Sequence, residues 1–474
     1  MAKTQYDLTV IGGGSGGLTA ARIAASLGAH VLLIDKKELG GDCLYYGCVP
    51  SKSLIHVARV VKEAQEAMQI GLTLPSPAVD MAKVSQYIQR VIERVHDTEQ
   101  VYTEHVTVKI GDVSFQSPTE LLLNGETVTS RSTIIATGSR PFIPDIEGLA
   151  ESGYFTNEDL FDLNHLPASM IVVGGGPIGV EMSQAFARLG TQVTLLGRAS
   201  RLLPKEDSDA STLLAKVFES EGIQLALSTT LLRVERKGDK KIVYAKQGDQ
   251  VVTFEADALL IATGRTPNVE KLGLGNVGVT TNERGILVDE YLQTATPNIL
   301  AIGDVIGGYL FTHVAAYQAG IAARNALLPI GKKKVDYRVV PWCTFTDPEV
   351  ARVGLTLDEA KEQHKDAHEE VFPYADIDRA QTENATAGFI KLVLAGKKDE
   401  IVGVHIVGKN AGELLGEATL AMQHHMTISD LYNTIHAYPT LSTGLQQAAF
   451  EAYLRSDRAA SNRRVVRTIR NFRG

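Results

Sequence analysis

The sequence predicts an α/β protein with two Rossmann-like dinucleotide-binding domains and a C-terminal α+β domain. Three observations predict it. A strand, glycine loop, helix and strand unit begins at Tyr6 and recurs at Ser169, about 160 residues later. Each copy is followed, roughly one domain on, by a short apolar run ending in Ala-Thr-Gly, within Ser132–Pro141 and Leu259–Pro267. From about Tyr337 the pattern changes to strand-like runs, a charged hairpin loop and helices. The expected boundaries are 1–150 with 275–336 for the first domain, 151–274 for the second and 337–474 for the third.

Length and composition agree with this reading and exclude others. A chain of 474 residues has room for about three domains. With 44% hydrophobic and 22% charged residues it has an ordinary globular profile. Lys plus Arg is 47 and Asp plus Glu is 55, a net charge of −8, which argues against a broad nucleic-acid surface. No apolar run reaches the length of about 18 residues that a membrane span needs. The stretch Met1 to Gly14 lacks the charged, apolar, small order of a secretion signal, so a cytoplasmic location is expected. Three cysteines are too few for a disulfide-stapled scaffold. Two of them, Cys43 and Cys48, stand five positions apart.

The first unit reads as an apolar run Tyr6–Ile11, the loop Gly12-x-Gly14-Ser15-x-Gly17, a helix over Leu18–Leu27 and a run His30–Ile34 ending at Asp35. This is the dinucleotide fingerprint in its expected setting. Gly12 makes the turn, Gly14 lets the backbone reach pyrophosphate, and Gly17 lets helix pack on strand. The helix start offers N–H groups to phosphate, and Asp35 would accept from ribose hydroxyls. The second unit, Met170–Val173, Gly174-x-Gly176-x-x-Gly179, a helix to Leu189 and Thr191–Leu196, ends differently. Gly197-Arg198 replaces the acid, with Arg201 close by. An arginine there can pair with a 2′-phosphate, favouring NADP(H) over NAD(H); the alternative is a solvated Arg198 and an unselective site. In the Ala-Thr-Gly repeats, Thr137, Gly138 and Gly264 are small enough to let backbone approach a nucleotide. In the third region Val339–Phe345, Gly388–Leu394 and Ile401–Val407 read as strands, and Ala411–His424 and Ser442–Leu454 as helices. The arginine-bearing tail Arg463–Gly474 reads as mobile or as a solvated helix.

Zinc is one reading of Cys43-x4-Cys48, but zinc needs two further ligands and no second cluster has suitable spacing, so no metal site is expected. A structural disulfide does not suit a cytoplasmic enzyme. Redox chemistry fits the local physics. Pro50 is placed like a first-turn proline with Ser51–Glu66 helical after it, so Cys48 falls at a helix N-terminus. The dipole there stabilises a thiolate, the species that attacks a disulfide or donates charge to a flavin.

The block Gly40-Gly41-Asp42-Cys43-Leu44-Tyr45-Tyr46-Gly47-Cys48-Val49-Pro50-Ser51-Lys52 and the run Thr296-Pro297-Asn298-Ile299-Leu300-Ala301-Ile302-Gly303-Asp304 carry a specific resemblance. Over nearly its whole length the chain resembles the class I pyridine nucleotide–disulfide oxidoreductases, the family of glutathione reductase, dihydrolipoamide dehydrogenase and mercuric reductase. The resemblance implies FAD on the first glycine loop, Asp35, Gly303 and Asp304, and NADPH, with NADH the lesser alternative, on the second loop. It implies electron flow through FAD to a Cys43–Cys48 disulfide and on to an acceptor: a small disulfide, a metal ion or an oxidised thiol derivative. Cys48 would be the thiol beside the flavin and Cys43 the one that meets substrate. Lys52 matches the family lysine near the flavin, where it stabilises negative charge, and Glu181 the glutamate that pairs with it. His313 falls where relatives approach the flavin ring, and reads equally as a core histidine. A homodimer is implied, with the 337–474 domain of one subunit completing the other's site.

The chain also departs from the family. In the disulfide reductases a His-Pro-Thr segment supplies the base, with a glutamate five residues on. Here the matching run is Ile435-His436-Ala437-Tyr438-Pro439-Thr440-Leu441-Ser442-Thr443, with Tyr438 in the base position and Thr443 in the glutamate position. A tyrosine of ordinary pKa, about 10, is a poor base at neutral pH. His436 could substitute only if turned inward. Mercuric reductases also carry tyrosine there, and Gly444–Ala449 is mercuric-reductase-like, yet that family ends in a metal-delivering cysteine pair where this sequence reads Arg470-Asn471-Phe472-Arg473-Gly474. Soft-metal handling needs thiolates, and only the redox pair is available for it. The reading is a mercuric-reductase-like oxidoreductase. Its rivals are a flavin-direct quinone or electron-acceptor reductase, a dehydrogenase subunit docked to a multienzyme complex, and a nucleotide-sensing binding protein. Elsewhere, Cys343 reads as a buried inert thiol, His364 and His368 as a solvated helix face, and His424-His425 as lacking a partner cluster.

Overall fold

The computed structural model describes residues 5–75, 77–100 and 106–473. The chain divides into two compact units: 1–198 with 229–336, and 199–228 with 337–474.

The elements that build the first unit's nucleotide folds are, in order, β1 (Tyr6–Ile11), α1 (Ser15–Ser26), β2 (Val31–Asp35), α2 (Cys48–Glu66), β3 (Glu126–Ile135), β4 (Ser169–Val173), α3 (Pro177–Leu189), β5 (Gln192–Leu196), β6 (Ala258–Ile261), β7 (Ile299–Ala301) and α4 (Thr312–Leu327). β1 lies between β2 and β3, parallel to both, and β7 continues the parallel sheet beside β3. Strands covered on both faces read as unbroken apolar runs rather than alternating ones. Leu8, Val10, Val31, Leu32 and Leu33 are accordingly fully buried. The second unit of the repeat copies the plan, with β4 between β5 and β6 and parallel to both. The two Ala-Thr-Gly repeats meet each other. The residues after them, Ser139–Pro141 and Arg265–Pro267, pair as antiparallel strands. Thr137 Oγ1 donates to the Asn268 carbonyl at 2.7 Å, and the Asn268 amide donates to the Gly138 carbonyl at 3.0 Å.

The second unit is an antiparallel sheet in the order Pro341–Thr344, β8 (Glu349–Gly354), β10 (Glu400–Gly408), β9 (Phe389–Ala395) and His368–Pro373. Helices α5 (Ala411–Gln423) and α6 (Thr443–Arg455) pack on one face against Ala351, Val353, Ile390, Leu392, Val404 and Ile406. Side chains alternate across a strand, so Arg352, His405 and Lys391 form a cross-strand row on the other face. The segment 199–228 covers that row with acids. Lys391 Nζ lies 2.9 Å from Asp207, 2.8 Å from Asp209 and 3.4 Å from Glu369. Arg352 pairs with Glu359, donates to the Lys205 carbonyl at 2.8 Å and stacks over Trp342, whose Nε1 donates to Glu206 at 2.7 Å. Burial pushes His405 down to about 4, so it stays neutral and bonds the Leu355 carbonyl. Charge complementarity is thus the reason residues 199–228 group with the later part of the chain.

Several expectations need correction here. The helix Leu357–Gln363 ends before His364, and His368 opens a strand, so the two histidines share no helix face. Cys343 is half-buried rather than buried, on a strand beside the core. His425 pairs with the single carboxylate of Glu400 at 2.7 Å, which makes no cluster and leaves that expectation unchanged. Strands at Glu349–Gly354 and His368–Pro373 had no separate signal in the sequence. The tail is a helix over Asp457–Arg473, with Gly474 outside the described residues. Among the described residues no helix is long and apolar enough to cross a membrane, and no cluster of three metal-binding side chains occurs.

Removing one partner of a buried ion cluster leaves uncompensated charge. Lys391→Ala should therefore lower stability by about 3–5 kcal/mol, read as an earlier midpoint in urea. A shift of under about 1 kcal/mol, the size of a surface pair, would show that the row does not hold the segment in place.

Candidate active site

The two glycine loops can be compared position by position. A Cβ on Gly12 would overlap the Ala136 carbonyl, and one on Gly17 the Gly12 carbonyl. In the second loop a Cβ on Gly174 would overlap the Ala262 carbonyl, and one on Gly179 the Gly174 carbonyl. The outer glycines are thus required by the protein's own backbone. The middle ones are not. A Cβ on Gly14 would meet nothing nearer than Gly41 Cα at 3.7 Å, and one on Gly176 would meet nothing within 4 Å. Both are helix N-caps without a side-chain acceptor, so first-turn N–H groups face that open space. These cradles fit a dinucleotide pyrophosphate. Asp35 accepts from the amides of Gly13 (2.6 Å) and Lys37 (2.9 Å), which fixes its carboxylate at the end of β2 with capacity for further donors. Arg198 follows β5 and is exposed, whereas Arg201 is engaged by the Pro204 carbonyl at 2.8 Å.

The cysteines lie on consecutive helical segments, Cys43 within Gly41–Tyr45 and Cys48 as the first residue of α2, as the proline placement predicts. Both are thiols, and they hydrogen-bond each other. Cys48 is pulled down to about 6, chiefly by the hydrogen bond from Cys43, with Thr312 and the Lys52 charge adding to it against burial and Asp42. Cys43 is pushed up by that same bond, by burial and by the charge on Cys48. The pair is thus polarised so that the charge is favoured on Cys48 and the proton on Cys43. Thr312 Oγ1, at the start of α4, stands 3.5 Å from Cys48 Sγ. One turn along α2, Lys52 Nζ meets Glu181 of α3 at 2.8 Å, the pairing that the resemblance implies. His313 is exposed, its ring stacked on Phe311 at 5.3 Å, which corrects the core-histidine alternative.

A half-buried arginine with no motif of its own ties these parts together. Arg265 contacts Asp42 at 3.0 Å, Ser139 Oγ at 2.6 Å and Asp304 at 3.6 Å. Ser139 Oγ in turn donates to Asp304 at 2.5 Å. Burial raises the Asp304 carboxyl, with Ser139 and Arg265 opposing. Gly303, at φ 72°, donates its amide to Gln318 at 2.7 Å. The available signal was the repeat itself: Ser139 and Arg265 both follow directly after Ala-Thr-Gly. Thr312 had a weaker one, standing beside His313.

In the second unit Tyr438 is 73% exposed and donates to Asp378 at 2.8 Å, and that carboxylate raises its pKa further. The phenol stays protonated. His436 is turned inward, but both ring nitrogens face acceptors: Nδ1 the Thr434 carbonyl at 2.9 Å and Nε2 Glu417 at 2.7 Å. Both side chains are hydrogen-bonded within their own unit. Thr443 is buried and donates to the Thr440 carbonyl.

Comparison with known proteins gives concordant results. Residues 6–320 match the pyridine nucleotide-disulphide oxidoreductase family and residues 340–449 its dimerisation domain. A mercuric reductase from Staphylococcus aureus is 37% identical over 448 residues, covering 94% of this chain and 82% of that one. A dihydrolipoyl dehydrogenase from Thermus scotoductus is 37% identical over 456 residues, covering 94% and 96%. The Cu(II) complex of the HOCl-induced flavoprotein disulfide reductase RclA from Escherichia coli superposes with a TM-score of 0.85 at 29% identity, covering 94% and 99%.

Two outcomes follow from this geometry. Gly179→Ala should unfold earlier than the parent, whereas Gly176→Ala should melt within about 2 °C of it yet bind pyridine nucleotide more weakly; equal melting losses would mean that both glycines serve packing. Ultraviolet thiolate absorbance should titrate with a midpoint near 6, the value to which Cys48 is lowered. Lys52→Met and Thr312→Val should each move that midpoint upward, and two unmoved midpoints would remove both groups from the thiolate's surroundings.

Proposed function

Because the chain belongs to the pyridine nucleotide-disulphide oxidoreductase family, we propose that it is an FAD-dependent, NADPH-oxidising enzyme whose Cys43–Cys48 pair delivers electrons to a soft metal ion. The observation that carries this reading is the cysteine pair set at the start of α2, with Thr312 Oγ1 3.5 Å from Cys48 and Lys52 one turn along the same helix. FAD, when bound, supplies the two-electron exchange between reduced nicotinamide and the cysteine disulfide. The chain's own residues do the rest. The α1 start at Gly14 and Ser15 would hold pyrophosphate, Asp35 ribose, and Gly303 and Asp304 the far side of the dinucleotide. Lys52, held by Glu181, places a positive charge one turn from Cys48 and favours its thiolate. On the second loop Gly176 would receive the nicotinamide dinucleotide's phosphates, and exposed Arg198 would pair with a 2′-phosphate.

The metal reading draws support from proton accounting. Attack on a disulfide needs Cys43 deprotonated by a base, and both Tyr438 and His436 are committed to acceptors of their own unit. A soft cation needs no such base, because coordination itself displaces the thiol proton. The relatives bearing the names mercuric reductase and RclA, the latter in complex with Cu(II), support the same class. The matched dimerisation domain supports a homodimer. A reducing compartment such as the cytoplasm would keep the pair available as thiols.

Anaerobic titration with NADPH should give a long-wavelength thiolate-to-flavin band, absent in Cys48→Ser. With Hg(II) or Cu(II) as acceptor, Cys43→Ser should abolish turnover, and lipoamide and glutathione disulfide should be poor acceptors for the parent. Full activity of Cys43→Ser toward a quinone would favour the flavin-direct rival. Arg198→Glu should lower kcat/KM for NADPH by at least about tenfold relative to NADH, the size of one lost charged contact.

A further inference from the structure

We propose that the helix Asp457–Arg473, here α7, is a peripheral anchor for an anionic phospholipid surface. The helix lies beyond residue 449, where the match to the dimerisation domain ends. Its first turns are fixed to the body. Ala459 is buried, Asn462 Nδ2 donates to Tyr453 Oη at 3.1 Å, and Arg463 Nη1 donates to the Leu454 carbonyl at 2.8 Å. Every residue from 461 to 472 is exposed. Among them Val465, Val466, Ile469 and Phe472 are 54%, 65%, 47% and 87% exposed.

At about 100° per residue these four side chains fall within an arc of roughly 120°. Arg463, Arg464, Arg467 and Arg470 occupy the opposite arc. Residues 457–473 contain six arginines against one aspartate, a strongly basic helix in a chain of net charge −8. A basic arc alone would suit any polyanion. An apolar arc beside it, carrying an exposed phenylalanine, suits a planar boundary between anionic headgroups and acyl chains. The stripe is too short and the helix too charged to span a bilayer, consistent with the absence of a spanning helix among the described residues. Arginines attract the surface, and the stripe buries its apolar side chains at the acyl boundary, so both arcs are needed for binding.

The test is flotation of the FAD-loaded enzyme with vesicles of phosphatidylglycerol and phosphatidylcholine in equal parts, and with phosphatidylcholine alone. Anionic vesicles should carry at least about tenfold more protein than neutral ones, and added salt should release it. Ile469→Glu with Phe472→Glu, and separately Arg464→Glu with Arg467→Glu, should each lower binding about tenfold or more. Dimer mass and NADPH oxidation should be unchanged in both. The proposal falls if the parent does not float, or floats equally with neutral vesicles. It also falls if neither variant weakens binding. Loss of dimer mass in the Ile469/Phe472 variant would assign the stripe to a second copy of the chain. Binding to duplex DNA in preference to the vesicles would assign the arginine arc to nucleic acid.

Discussion

A helix can start directly above the carboxyl end of a parallel strand only if the two backbones come into contact, and in this chain they do so twice. At Gly17 and again at Gly179 a single added carbon would occupy the space of a loop carbonyl oxygen. Everything at the site follows from that closeness. It brings the open N–H groups of α1 and α3 to the same edge of their sheets, where the middle glycines leave room for phosphate. It also brings Glu181, one turn into α3, to the lysine that lies one turn into α2. Residues proposed to bind nucleotide and residues proposed to tune sulfur chemistry are set by one packing rule, used at two places.

The cysteine pair shows how little separate machinery is then needed. Together, with one donating to the other, they divide into a thiolate and a thiol, and the helix start, Thr312 and Lys52 all favour the charge on Cys48. Arg265 links this sulfur chemistry to the Asp304 side of the nucleotide fold. Its Nη2 meets both Asp42, the neighbour of Cys43, and the Ser139 carbonyl, while its Nε donates to Ser139 Oγ. Asp42 opposes the thiolate electrostatically, and a guanidinium 3.0 Å away offsets that opposition.

Much of this was legible in the sequence because it is local. The glycine spacing, the acid at position 35, the cysteine spacing and Pro50 each encode a contact within one supersecondary unit, and the structure places them accordingly. What was not legible depends on residues far apart in the chain. The acids at 206, 207 and 209 look like an ordinary charged turn, and only the paired strands give them partners, Lys391 for Asp207 and Asp209 and Trp342 for Glu206. Arg265 looks like a variation on a repeat until the two repeats are seen to pair. His364 and His368 failed for the opposite reason. Their spacing is helical, but the helix stops at Gln363 and the spacing there means nothing.

The departures from the family pattern carry as much chemical meaning as the matches. A histidine base serves an acceptor that cannot take a proton's place on sulfur. In this chain Tyr438 donates a hydrogen bond to Asp378 and keeps its proton, and His436 is held between Thr434 and Glu417, so both candidate positions are hydrogen-bonded within their own unit. On the proposed metal reading the proton on Cys43 is displaced by what the thiol binds. A soft cation does this and a disulfide does not. Under the proposed reading the same substitution that weakens disulfide chemistry leaves metal chemistry intact, because the two acceptor classes differ in where the thiol proton goes.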